Sequence, residues 1–339
     1  MEFIDYIRPL KLKMIQMRKM MNKFILPSLF LFTCLFTFIS CNQNQSGEPE
    51  DTPTSGKINI TVDETFKPIL DSEITVFESV YKYASINVSY KPEERAFEDL
   101  LNDSARIIIV TRELTPSEKK HFEDLKLFPR ITKIAYDAVA LVTNNANPDS
   151  QFTDDQVKKI ISGEISTWNQ LNPKSPNTKI QLVFDNKNSG TLRYLKAYAG
   201  NLSKNSSAVD SSNAVIDYVA KNKNSLGIVG VTWISDRSDS TLLSFVKKVR
   251  VCEVSPPDSS EGRGDYYKPY QAYIATKYYP LWRTVYVISR EARAGLGTGF
   301  ASFVAGDRGQ KIILKSGLVP ASMPVRLVEL RNQNFKITK

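Results

Sequence analysis

Ile180-Gln181-Leu182-Val183-Phe184-Asp185-Asn186-Lys187-Asn188-Ser189-Gly190-Thr191-Leu192-Arg193-Tyr194-Leu195-Lys196 joins an apolar run, a turn of small polar residues and the opening of a helix. A strand that ends in such a turn presents the first, unpaired N–H groups of the next helix, here beside two hydroxyls and a glycine. That is an anion cradle if a ligand reaches it, and a plain N-cap by Ser189 if none does. Two more junctions are built alike. Val62-Asp63-Glu64-Thr65-Phe66-Lys67-Pro68 sets Thr65 ahead of a helix whose first turn suits Pro68, so Thr65 either donates to a ligand or caps. Val110-Thr111-Arg112-Glu113-Leu114-Thr115-Pro116-Ser117-Glu118 ends a strand in a hydroxyl and a guanidinium. The planar fork of Arg112 suits a tetrahedral oxyanion and equally a carboxylate such as Glu113 or Glu118, while Thr115 with Glu118 reads as a capping box.

Outward from these junctions the pattern alternates strand and helix. Ile58 to Val62, Ile86 to Tyr90, Ile107 to Val110, Ala135 to Val142, Ile180 to Phe184, Leu226 to Val229 and Trp282 to Ile288 read as strands. Between them, helical spacing starts at Pro68, near Ala96, at Pro116, at Asp154, near Gly190 and at Ala214. A chain written in this order predicts an α/β fold with parallel or mixed sheets, whose ligands sit at strand ends where helix N-termini gather. About 280 residues follow the N-terminal segments, enough to predict two lobes.

The N-terminus is a different kind of sequence. A basic stretch with Arg18, Lys19 and Lys23 precedes the apolar run Phe24 to Ile39 and then Ser40-Cys41, the order of a bacterial export signal. The run is shorter than the ~20 apolar residues of a membrane span. It is similar to lipoprotein signals, which implies residues 1–40 as signal peptide and lipidation at Cys41. Phe38 and Ile39 are bulkier than that pattern usually has, which keeps an uncleaved anchor as the alternative. Residues 41–56, polar and rich in Asn, Gln, Ser, Gly and Pro, read as a flexible tether reaching about 20 Å. Of the net charge of +9, four charges belong to the leader, and no basic cluster with a nucleic-acid-binding pattern remains. Beyond Cys34 and Cys41 only Cys252 is left, and His121 is the single histidine, so a disulfide framework, a zinc site and His-assisted nucleophiles lack raw material. Cys252 reads as a buried thiol, and the tyrosines from Tyr266 to Tyr279 read as strand or interface residues, with an aromatic platform as the alternative.

Together the three junctions resemble those of the periplasmic phosphate-binding proteins of high-affinity phosphate ABC transporters. The resemblance runs from about Lys57 to Pro320 and includes Ala135-Tyr136-Asp137-Ala138-Val139-Ala140, Ile160-Ile161-Ser162-Gly163-Glu164-Ile165-Ser166-Thr167-Trp168, Ser225 to Gly230, Gly309-Gln310-Lys311 and Gly317-Leu318-Val319-Pro320. Trp168 reads as packing. The resemblance implies a type II periplasmic binding-protein fold, with a ligand cleft between two α/β lobes that close by hinge motion. Residues 57–138 and 274–339 would form one lobe and residues 139–273 the other. It further implies a monomer in the periplasm that takes inorganic phosphate or a related oxyanion, needs no cofactor, and serves an ABC permease. The rivals are a sibling for another oxyanion or a small organic phosphate, a sensing or scaffold lipoprotein, and a hydrolase using Ser189 with Lys187.

Position by position, the resemblance implies ligand contacts at Thr65, Ser189, Gly190 and Thr191. Thr111 and Arg112 fall where the family varies between an acidic residue and a Ser-Arg pair. The family writes the central turn Arg-x-Asp-Gly-Ser-Gly-Thr. This chain has Asp185 in the arginine's place, Lys187 in the aspartate's and Asn188 for the first glycine. Lys187 then either braces Asp185 or turns to the ligand, and Arg112 is expected to supply the missing guanidinium. Asp185 or Glu64 is expected to accept a proton from a protonated oxyanion.

Overall fold

The structure, a computed structural model, describes residues 50–235 and 247–325; Cys41 and the leader lie outside the described residues. The first stretch holds β1 (Ser55–Asp63), α1 (Lys67–Val80), β2 (Tyr83–Lys91), α2 (Glu93–Leu101), β3 (Ile107–Val110), α3 (Pro116–Asp124) and the long β4 (Arg130–Asn144). Next come β5 (Gln151–Thr153), α4 (Asp154–Ser162), β6 (Gln181–Phe184), α5 (Gly190–Ala199), β7 (Ser206–Ala208), α6 (Ser212–Lys221), β8 (Ser225–Gly230) and α7 (Thr232–Ser235). The chain closes with β9 (Val249–Val251), β10 (Glu253–Ser255), α8 (Gln271–Ala275), β11 (Trp282–Ser289), α9 (Leu296–Ala305), α10 (Asp307–Lys315) and β12 (Val319–Pro320).

Each strand expected from the sequence is present and extends at one or both ends, except that β3 keeps its expected bounds and β6 starts one residue later. The tyrosine-rich stretch is the exception in kind: Gln271–Ala275 is a helix, and Tyr267 and Tyr273 meet at 4.8 Å between ring centres. Tyr267 there exchanges backbone hydrogen bonds with Val254. The expected tether also ends early. Asp51 accepts from the N–H of Leu296 at the start of α9 and pairs with Arg106 at 2.6 Å, because a carboxylate is favoured at a helix N-terminus.

The sheet reads β2-β1-β3-β11-β4-β8-β6-β7. β1 runs parallel to β2 and β3, and β6 parallel to β7 and β8. Two parallel halves are therefore joined through the antiparallel pair β4 and β11. Along β4, residues 130–138 pair with β11, and Val139 to Thr143 pair with β8. One unbroken strand thus passes from one half of the sheet to the other. The motif around Trp168 is structural: Gly163 ends α4 at φ 87°, and Trp168, 2% exposed, donates its indole N–H to the Asn224 carbonyl. Cys252 is fully buried, and burial pushes its thiol up to about 12.

α1 buries Ile69, Leu70, Ile74 and Phe77 on one face and, among them, Glu73, whose oxygens have no hydrogen-bond partner. Burial pushes the Glu73 carboxyl up to about 9. A carboxyl raised above its unfolded value binds its proton more tightly when folded. Its contribution is complete below about pH 4.5 and is lost as the pH climbs toward 9. Glu73→Leu is expected to stabilise the fold, by an amount that grows with pH at roughly 1.4 kcal/mol per unit within that window. Urea unfolding at pH 5 and pH 8 measures it. An equal gain at both pH values would mean that Glu73 is not a buried neutral acid.

Candidate binding cleft

The three junctions converge where the two halves of the sheet meet. Thr65 is fully buried in a single 3-10 turn after β1, its N–H bound to Asp63 Oδ1 at 3.0 Å. Its carbonyl accepts the Thr232 hydroxyl, from beyond β8, at 2.6 Å. From the other half, Ser189 caps α5, its hydroxyl accepting the Leu192 N–H at 3.2 Å. Gly190 packs so closely that a Cβ there would lie 2.6 Å from Asp63 Oδ2, and 2.9 Å from both Glu93 Oε1 and Thr111 Oγ1. Thr65, Ser189, Gly190 and Thr191 are therefore brought to one crevice at the ends of β1 and β6.

The guanidinium in this crevice belongs to Arg283, which the sequence reading missed. Arg283 lies on β11 directly opposite Asp137 of β4, at the crossover between the halves. It is 3% exposed, pairs through Nε with Asp137 Oδ2 at 2.8 Å, and donates through Nη1 to Thr191 Oγ1 at 3.3 Å. Nη2 has no partner, nor have the buried Thr65 Oγ1 and Asp63 Oδ2. The detectable signal was a charge inside an otherwise apolar strand, Trp282-Arg283-Thr284-Val285, matched by Asp137 inside the apolar β4. A long-range cross-strand pairing is invisible to local motif reading.

Arg112 does something else. Its fork is closed on Glu118, Nη1 to Oε2 at 2.8 Å and Nη2 to Oε1 at 2.9 Å, and its Cζ stacks 3.4 Å from the Phe97 ring centre. Glu118 also completes the capping box of α3 with Thr115. Of the two partners left open for this arginine, the structure takes the carboxylate, and the guanidinium that faces the crevice is that of Arg283. Thr111 is likewise engaged. Its N–H and hydroxyl both donate to Glu93 Oε1 at 2.6 Å, and its hydroxyl accepts from Arg193 Nη2 at 2.8 Å.

Asp185 is buried beside the cradle, bound by the Asn186 N–H at 2.8 Å. Burial raises its carboxyl, against hydrogen bonds from the Ser189 side chain and the Asn186 N–H and the charge of Arg283. Lys187 is exposed and, among the described residues, makes no ion pair with Asp185. The Ser189 hydroxyl, besides accepting the Leu192 N–H, helps to hold the Asp185 carboxylate. Burial also raises Asp63, helped by the charges of Glu93 and Asp185 and opposed by Arg283. Glu64 is raised by its own burial and by Asp185, and it accepts the Ser212 N–H at 3.4 Å. Asp137 is raised by burial despite Arg283, whose own guanidinium is held charged against burial by Asp137 and Asp63.

Residues 47–308 match the family description "PBP superfamily domain". The phosphate-binding protein PstS of Staphylococcus saprophyticus is 24% identical over 262 residues, 76% of this chain and 77% of that protein. PstS of Staphylococcus epidermidis is 23% identical over 278 residues, 80% of this chain and 81% of that protein. Among solved structures, a substrate-binding protein with bound phosphate from Clostridium perfringens superposes with a TM-score of 0.65 at 21% identity, covering 78% of this chain and 99% of that one. An ABC-type phosphate transport receptor from Vibrio cholerae gives 0.59 at 21% identity, over 79% of this chain and 100% of that one. With this family match and a type II periplasmic binding-protein fold built around a crossover cleft, the chain belongs to the PBP superfamily.

Proposed function

We propose that this protein is an exported solute-binding lipoprotein, anchored through Cys41 in the periplasm, that captures inorganic phosphate and delivers it to an ABC permease. Residues 57–138 with 274–339, and 139–273, act as the two lobes of its cleft. The names of the relatives support the ligand class and the transporter. The observation that carries the reading is the set of buried polar atoms without a protein partner: Arg283 Nη2 and Thr65 Oγ1 as donors, Asp63 Oδ2 as acceptor. A buried polar group left unpaired costs about 1–3 kcal/mol, so three in one crevice point to a ligand that completes them.

Phosphate has the matching valences. Its oxygens accept from Arg283, Thr65, Thr191 and the open N–H groups at the start of α5, while its hydroxyl donates to Asp63. Fully ionised sulfate has no proton for Asp63 and leaves two negative oxygens face to face. Asp63 thus takes the proton-accepting part expected of Asp185 or Glu64, because it is the acid whose free oxygen faces Gly190.

Isothermal titration at pH 8, above the value of about 7 to which burial raises Asp63, is expected to show tight phosphate binding, with sulfate weaker by orders of magnitude. Thr65→Val keeps the shape and removes one donor to a charged ligand, and is expected to weaken phosphate binding about ten- to a hundredfold. Equal binding of sulfate, or an unchanged Thr65→Val variant, would count against the reading.

A further inference from the structure

Beside the cradle, charged side chains from the two lobes meet directly. Glu93 opens α2, which packs on β1 and β3; Arg193 stands on α5, in the half built on β6 and β8. Arg193 Nε reaches Glu93 Oε2 at 2.5 Å, and its Nη2 donates to Thr111 Oγ1 at 2.8 Å. The other oxygen of Glu93 takes both donors of Thr111, and the neighbouring Glu94 N–H donates to the Asn188 carbonyl at 3.3 Å. Glu93 is 1% exposed. Both oxygens of Glu93 are taken up by protein donors, in contrast to the unpartnered Arg283 Nη2, Thr65 Oγ1 and Asp63 Oδ2.

We infer that Glu93, Arg193 and Thr111 form a clasp between the lobes that holds the cleft shut and sets how long a bound ligand stays, without touching the ligand. Two features of the geometry carry this. The pair spans the cleft, so any opening of the lobes must break it; and although the Arg193 side chain is 32% exposed, that of Glu93 is 1% exposed, so breaking the pair takes a buried carboxylate from its cation. Glu93 is suited to the part, since burial pushes its carboxyl up but the Arg193 charge and the hydrogen bonds of Arg193 and Thr111 more than reverse this. A cleft clasped by its own residues has a larger closed fraction before ligand arrives, and apparent affinity scales with that fraction.

The inference rests on the phosphate reading only for its ligand arm. In the ligand-free protein, Glu93→Gln and Arg193→Met are each expected to speed amide hydrogen exchange at 110–112 and 188–193 while the core strands stay protected. Phosphate affinity is expected to fall on the order of tenfold in each, through faster release, and Arg193→Met is expected to add little in the Glu93→Gln background. An Arg193→Met effect that persists in that background would make Arg193 a ligand contact and overturn the clasp. So would unchanged exchange in the ligand-free variants. Should the wild-type protein take no phosphate, the proposed function fails, and the exchange measurements still decide the clasp.

Discussion

Arg283→Gln is expected to reduce phosphate affinity by about a hundred- to a thousandfold, the largest loss of any single change in the cleft. The guanidinium is the buried cation facing the crevice, and removing it deletes charge-assisted donors that no other described side chain replaces. Loss of hydrogen bonds to a charged partner amounts to about 1.5–3 kcal/mol each. The same change strands Asp137, fully buried and paired with Arg283 at 2.8 Å, at a stability cost of about 3–5 kcal/mol. A companion Asp137→Asn/Arg283→Gln variant removes the stranded charge, so stability recovers while binding does not. Arg112→Lys is the control. That residue sits on Glu118 and Phe97, and affinity is expected to change less than about threefold, within what a partly exposed pair contributes. Phosphate titrations at one pH and salt concentration rank the variants; if Arg112→Lys proved the more damaging, Arg283 would be a structural pair only.

Gly190→Ala is expected to reduce binding nearly as far by another route. The added methyl would meet Asp63 Oδ2 at 2.6 Å and the Glu93 and Thr111 oxygens at 2.9 Å, side chains locked by hydrogen bonds and unable to yield cheaply. Relief comes most easily by keeping the lobes apart, since Asp63, Glu93 and Thr111 belong to one lobe and Gly190 to the other. The variant is therefore expected to stay folded, with about 1–3 kcal/mol of overpacking expressed mainly in the closed state. Phosphate affinity should drop about thirtyfold or more, and small-angle scattering with phosphate should retain the open dimensions. Closure and affinity like those of the wild type would show that Gly190 does not line the contact.

The strands and helices were legible because their periodicities are local. Thr65 after β1 and Ser189-Gly190-Thr191 after β6 were legible because strand-to-helix junctions expose backbone N–H groups wherever they occur. Arg112 was ambiguous for a related reason: a guanidinium at a strand end suits a carboxylate as well as it suits an oxyanion, and nothing within a few residues chooses between them. Glu118, six residues on, was already reading as half of a capping box, and it holds both ends of the fork.

Residue order alone determines the alternating α/β architecture, the cradle at the start of α5 and the shortage of histidine and cysteine chemistry, since each follows from near neighbours or from counting. The location of positive charge in the cleft was settled by the pairing of β4 with β11, which brings Asp137 and Arg283 together across 146 positions of chain. The same holds for Glu93 with Arg193, 100 positions apart, and for the approach of Gly190 to Asp63. Charges become partners only when the folded chain removes them from water and leaves each other as the available neighbours. That choice depends on sheet register and lobe closure, which no local stretch of residues encodes.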